Sequence, residues 1–168
     1  MPRIGTVLPS LEGATEWFNA TGARAAEEAK GHPTLVHFWS ISCGICKENM
    51  PRVAEWRDKH AGEGLRVIAV HMPRYEADTD TEQVRDAITH YNITEPCAVD
   101  NEHKLRDAFQ NEQGYVPAYY LFDGEGKLRS FVNVYLNDED IRYLSKDATA
   151  VKAGDTLTIV PSIAGGGL

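Results

Sequence analysis

The stretch Thr34-Leu35-Val36-His37-Phe38-Trp39-Ser40-Ile41-Ser42-Cys43-Gly44-Ile45-Cys46 decides how this chain reads. Its apolar, partly β-branched and aromatic first half reads as a strand, and Ser40-Ile41-Ser42 as a tight turn. A helix then begins at the first cysteine. Two cysteines three positions apart lie one helical turn from each other, which places both sulfurs on one side and within reach of a disulfide. The free N–H groups and positive dipole end of that helix favour a thiolate at Cys43. Strand, turn, Cys-x-x-Cys and helix together are a physical recipe for thiol–disulfide exchange.

A Cys-x-x-Cys is also half of a zinc site, but zinc takes four ligands and a second knuckle. The one further cysteine, Cys97, stands alone, and no His-x-His or Cys-x-x-His pair accompanies it. Redox chemistry is therefore favoured over a metal site or inert core cysteines, and neither metal nor cofactor is expected. Three cysteines also make a poor disulfide scaffold.

At 168 residues the chain suits one domain, or one domain with a small appendage, and can bury a core without staples. Its net charge of -8, with no basic cluster, argues against nucleic acid as a partner. Met1 to Pro9 carries no long apolar signal core, and no stretch approaches the ~20 apolar residues of a membrane span. The expectation is a cytoplasmic protein without a membrane partner. In a reducing compartment such a dithiol should act mainly as a reductant.

Outward from the motif, Thr15–Asn19 suggests a short edge strand and Ala23–Lys30 a short helix. The helix after Cys43 carries Cys46, Met50 and Val53 on one stripe, with Pro51 inside it expected to kink it near Lys47. Leu65–Val70 reads as a buried parallel strand and Thr81–Tyr91 as a helix. Pro96–Val99 is a short strand, Leu105, Ala108 and Phe109 mark a helix, and Pro117–Phe122 is another strand. Asp123-Gly124-Glu125-Gly126 is a hairpin signal. Alternating strands and helices followed by a hairpin give an α/β layered fold around a mixed sheet.

Two motifs in this order, His37-Phe38-Trp39-Ser40-Ile41-Ser42-Cys43-Gly44-Ile45-Cys46-Lys47-Glu48-Asn49-Met50-Pro51 and Gly114-Tyr115-Val116-Pro117-Ala118-Tyr119-Tyr120-Leu121-Phe122-Asp123, resemble the thioredoxin superfamily. Within it the chain is similar to the TlpA/ResA-like branch of small bacterial thiol–disulfide oxidoreductases, over about residues 5–130. The resemblance implies a thioredoxin-like domain over residues 1–130, a central mixed sheet flanked by helices, with an inserted strand and helix between Asn92 and Gln110. It also implies disulfide-containing proteins or small thiols as substrates, and an upstream reductant.

Cys43, at the helix start and expected to be the exposed cysteine, is the candidate nucleophile; Cys46, a turn deeper, is the resolving thiol. In the resembling family the bond before the matching proline is cis and faces the disulfide, so Val116 and Pro117 are expected to guide the substrate chain. Trp39 is expected as an aromatic wall beside the disulfide as well as a core residue. His37 stands where thioredoxin has a buried aspartate, and an imidazole titrating near ~6.5 suits the same proton traffic. The competing and favoured reading is a strand histidine satisfied by a neighbouring backbone group. Asn49 holds the place where this branch often has an acidic residue. Lys47 is expected to be solvated and Cys97 to be a small buried hydrophobe.

After the hairpin a thioredoxin would end in an amphipathic helix. Instead, Phe131-Val132-Asn133-Val134-Tyr135 and Val151 to Gly166 resemble the second half of a MoaD/ThiS-like sulfur carrier, over about residues 127–166. The resemblance implies a C-terminal β-rich appendage over 131–168, part of a β-grasp fold, with Gly165 and Gly166 as candidate sulfur-carrier terminus. Gly167 and Leu168 follow that diglycine, so an inactive glycine tail is favoured over a carrier terminus.

Overall fold

The computed structural model describes residues 3–132. The proposed appendage, with Gly165 and Gly166, lies outside the described residues apart from its first two positions. Among the described residues the elements are β1 (Glu16–Phe18), α1 (Gly22–Ala29), β2 (Thr34–Trp39), α2 (Gly44–His60) and β3 (Arg66–His71). Then come α3 (Thr81–His90), β4 (Cys97–Val99), α4 (Lys104–Phe109), β5 (Ala118–Phe122) and β6 (Leu128–Val132). β1, α1, β2, β3, α3, β4 and β5 match the sequence expectations to within a residue or two, and α2 begins where expected.

The helices start where side chains can satisfy their free N–H groups. Thr21 caps α1 by accepting from the Arg24 amide, and Asp80 caps α3 by accepting from Glu82 and Gln83. Cys43 does the same for α2, with its sulfur as acceptor. α2 continues through Pro51 to His60, and its buried residues, Cys46, Asn49, Met50, Val53, Trp56 and His60, follow a helical stripe.

The strands form one six-stranded mixed sheet in the order β1-β4-β3-β2-β5-β6. β2 lies inside it, parallel to β3 and antiparallel to β5, and all six of its residues are buried. That explains its unbroken apolar run: a strand covered on both faces has no polar side to show. The hairpin closes as expected, with the Asp123 carboxylate accepting from the Glu125 and Lys127 amides.

Alternation divides the sheet into two cores. Val36 and Phe38 point to one, where Phe38 meets Phe109 and Tyr120 edge-on at 5.4 and 5.8 Å. Trp39 points to the other, with Ala69, Cys97 and Val99 from the sheet, Cys46 and Met50 from α2, and Val84 and Ile88 from α3. Full burial of each large side chain contributes about 1.5–3 kcal/mol. Both cysteines of the motif sit in this second core, at the point where β2 hands the chain to α2.

Candidate active site

Cys43 occupies the cap position of α2 with an extended backbone, φ -97° and ψ 103°. Its sulfur accepts the Cys46 amide at 3.1 Å and is bonded to the Cys46 sulfur, with the two Cα atoms 5.2 Å apart. The expected disulfide is thus present, and its first sulfur receives an orphan N–H at the positive end of a 17-residue helix. One expectation needs correction. Cys43 is only 4% exposed, and the accessible part of the motif is Gly44-Ile45, with Ile45 at 42%. The argument for Cys43 as nucleophile therefore rests on its capping geometry, not on exposure.

The turn before Cys43 is held from β3 and the loop that follows it. The Ile41 amide donates to His71 Nε2 at 3.1 Å, so His71 must keep that nitrogen unprotonated. Burial pushes the His71 imidazole down to about 4, overcoming the opposing pull of Asp78. Asp78 Oδ2 accepts from Ser40 Oγ (3.0 Å), Ser42 Oγ (2.8 Å) and the amides of Arg74 (2.8 Å) and Tyr75 (3.1 Å). Burial works to raise its pKa, but these donors outweigh burial and hold the carboxyl below the usual carboxylate range. Arg74 completes the clamp, donating to Ser42 Oγ at 3.1 Å and to the Ser42 carbonyl at 2.7 Å.

Trp39 is buried in the cysteine cluster and meets His71 edge-on at 4.9 Å, so it serves the core as expected. Cys97 lies in the same cluster, fully buried, and burial pushes its thiol up to about 12. A thiol so reluctant to ionise is a poor nucleophile, in keeping with the small-hydrophobe reading. Lys47 is half-buried rather than fully solvated.

His37 departs from the favoured reading. It is buried, and its Nε2 donates to a side chain, Glu95 Oε2, at 2.7 Å rather than to a backbone group or to either cysteine. Arg57 from α2 donates to the other carboxylate oxygen at 2.6 Å and to the Asn92 carbonyl at 3.1 Å. Burial works to raise Glu95, yet the His37 and Arg57 bonds outweigh it and keep the group low. His37 pairs with Ala69, which pairs with Cys97, so this chain of charges runs under α2 on the face that carries the cysteines. Beside it Tyr119 stacks on His37 with centroids 6.4 Å apart, and Asn49 donates to the Tyr119 hydroxyl at 3.0 Å. The place of the missing acid is therefore taken by a buried amide, and the acid in this layer comes from Glu95.

The Val116–Pro117 bond is cis, as the resemblance implied. Val116 packs against both cores, and so touches the cluster that contains Cys43 and Cys46.

Residues 4–131 match the AhpC/TSA family. The chain belongs to the AhpC/TSA family. Among relatives of this family, the Bacillus subtilis (strain 168) protein "Thiol-disulfide oxidoreductase YkuV" is 50% identical over 125 residues, 74% of this chain and 81% of that one. A solved structure titled "Solution Structure of a Thioredoxin-like Protein in the Oxidized Form" superposes with TM-score 0.69 at 46% identity, over 77% of this chain and 85% of its own. The fold is thioredoxin-like, as the sequence indicated. A separate likeness, 56% over 41 residues, links 24% of this chain to 44% of "Sulfur carrier protein CysO" from Mycobacterium tuberculosis (strain ATCC 25618 / H37Rv).

Proposed function

We propose that this AhpC/TSA-family chain is a thiol–disulfide oxidoreductase of the TlpA/ResA-like kind, reducing disulfides through Cys43 and Cys46. The observation that carries the proposal is the Cys43 sulfur itself: it caps α2, accepts the Cys46 amide and is bonded to Cys46. In the reduced protein the same amide and dipole favour the Cys43 thiolate. That thiolate attacks one sulfur of a substrate disulfide, forming a mixed disulfide and expelling the other sulfur as a thiolate. The Cys46 thiolate then attacks the Cys43 sulfur, closing the protein disulfide and releasing the second substrate thiolate. Two electrons pass to the substrate, and an upstream dithiol restores the protein.

Cys46 must lose a proton before it attacks, and it is 2% exposed. His37, on the same face of the sheet and tied to the Glu95 carboxylate, is the group we assign to that proton traffic. Val116 and Pro117 take the role of guiding the substrate chain, and Trp39 that of a wall in the cysteine cluster. A peroxidatic reading is disfavoured, because Ser40-Ile41-Ser42-Cys43 lacks the threonine three residues before the cysteine that such a site would use. A sulfur carrier acting through Gly165-Gly166 rests on sequence likeness alone, over less than half of that carrier. No activity is proposed from it.

The test is reduction of a protein disulfide by the reduced chain, followed by thiol counting. Wild type should reduce the disulfide with loss of two thiols per chain, and Cys43→Ser should be inactive. Activity at the wild-type level in Cys43→Ser would overturn the proposal.

A further inference from the structure

A groove of about 410 Å³ lies beside Val116, between the loop after β3 and the segment before β5. Its charged and ionisable walls are Arg74, His103 and Arg106, with Tyr75 and Tyr115 beside them, and no carboxylate lines it. That is a local reversal of sign, since acidic residues outnumber basic ones 25 to 17 along the chain.

The arginines are held in place by contacts that leave donors unspent. Arg74 uses Nε and Nη2 on Ser42, the residue before Cys43, and lies over the Tyr75 ring at 5.3 Å. Its Nη1 has no partner among the described residues. The nearby Asp78 carboxylate accepts through Oδ2 from two serine hydroxyls and two amides, and among the described residues it makes no ion pair with that guanidinium. Arg106 gives Nε to Asp107 at 3.0 Å and keeps both terminal nitrogens without partners among the described residues. Its stem lies against Gly114: a Cβ there would sit 2.6 Å from Arg106 Cγ and Cδ, so this glycine makes room for the arginine. His103 spends Nε2 on the Pro73 carbonyl.

We propose that this groove selects protein substrates carrying an acidic side chain next to the reactive disulfide, with Arg74 and Arg106 as the specificity-determining residues. This rests on the oxidoreductase reading above. Arg74 reaches the residue adjoining Cys43, and Val116 bounds the same groove while touching the cysteine cluster. A substrate cysteine engaged at Cys43 therefore presents its neighbouring side chains to two guanidiniums. A carboxylate there gains charge-assisted hydrogen bonds, while an ammonium meets like charge.

The experiment measures kcat/KM for three peptide disulfides identical except for Glu, Gln or Lys beside the cysteine. We expect Glu over Lys by about five- to tenfold, as a partly solvated charged contact gives. The ratio should shrink with added salt. In Arg74→Gln and in Arg106→Gln it should fall toward one, while Arg24→Gln, an equal charge change on α1 away from the groove, should leave it intact. Equal kcat/KM for the three peptides, a preference for Lys, or a Glu preference untouched by both groove substitutions would overturn the inference and leave the oxidoreductase reading standing. Failure to reduce any of the three would instead overturn that reading, and the inference with it.

Discussion

Acidification should loosen the turn that presents Cys43, and His71 is the group that makes this measurable. In the folded chain its Nε2 accepts the Ile41 amide, and burial pushes it from the ordinary 6.5 to about 4. The unfolded chain takes up a proton at 6.5, while the folded one resists until about 4. The stability this group confers is therefore complete above pH 6.5 and is lost as the pH falls toward 4. Over that interval, at 1.36 kcal/mol per pH unit, the loss comes to about 3 kcal/mol. His71→Phe keeps a ring against Trp39 but leaves the Ile41 amide without its acceptor, costing about 1–3 kcal/mol at pH 7. Urea unfolding of both proteins from pH 7.5 to 4 separates the effects. Carboxylates titrate in both and cancel in the difference. The wild type should be more stable at pH 7, and its advantage should vanish or invert by pH 4. Parallel curves across the range would refute the assignment of a neutral, accepting His71.

Three further outcomes follow from the site. Glu95→Gln should destabilise the fold by about 2–4 kcal/mol in urea unfolding, because it leaves Arg57 and His37 without their shared carboxylate; a change under 0.5 kcal/mol would show the triad to be idle. His37→Gln should slow resolution of a mixed disulfide by about 10²-fold or more while initial attack changes little, measured by stopped-flow with a fluorescent disulfide; an unchanged resolution rate would assign His37 to structure alone. Cys97 should resist alkylation at pH 8 in the folded protein and react once it is unfolded, since burial holds its thiol near 12; labelling in the native state would contradict its placement.

What the sequence made legible was whatever depends on near neighbours. The Cys43–Cys46 pair, the stripe of Cys46, Met50 and Val53 and the Asp123-Gly124-Glu125-Gly126 hairpin are patterns a few residues long, and each reads directly. Partners brought together by the sheet do not. His37 and Glu95 lie 58 positions apart, and they meet because β2, β3 and β4 align His37, Ala69 and Cys97 in register. The one local clue to Glu95 is an acid directly before a short apolar strand. Asp78 is equally hidden: among Glu76, Asp78 and Asp80 only Asp78 turns inward to the Ser40 and Ser42 hydroxyls, a choice made by the loop after β3. The exposure of Cys43 was misjudged for the same reason, because Val84, Ile88 and Val116, all distant in the chain, pack into or against the cluster in which it is buried.

The central claim is that Cys43 attacks and Cys46 resolves, and trapping tests it most directly. Cys46→Ser, reduced and then offered a substrate disulfide, should accumulate a mixed disulfide, with peptide mass mapping placing the bond on Cys43. Cys43→Ser should trap little. A stable mixed disulfide on Cys46 in Cys43→Ser, with none on Cys43 in Cys46→Ser, would contradict the account.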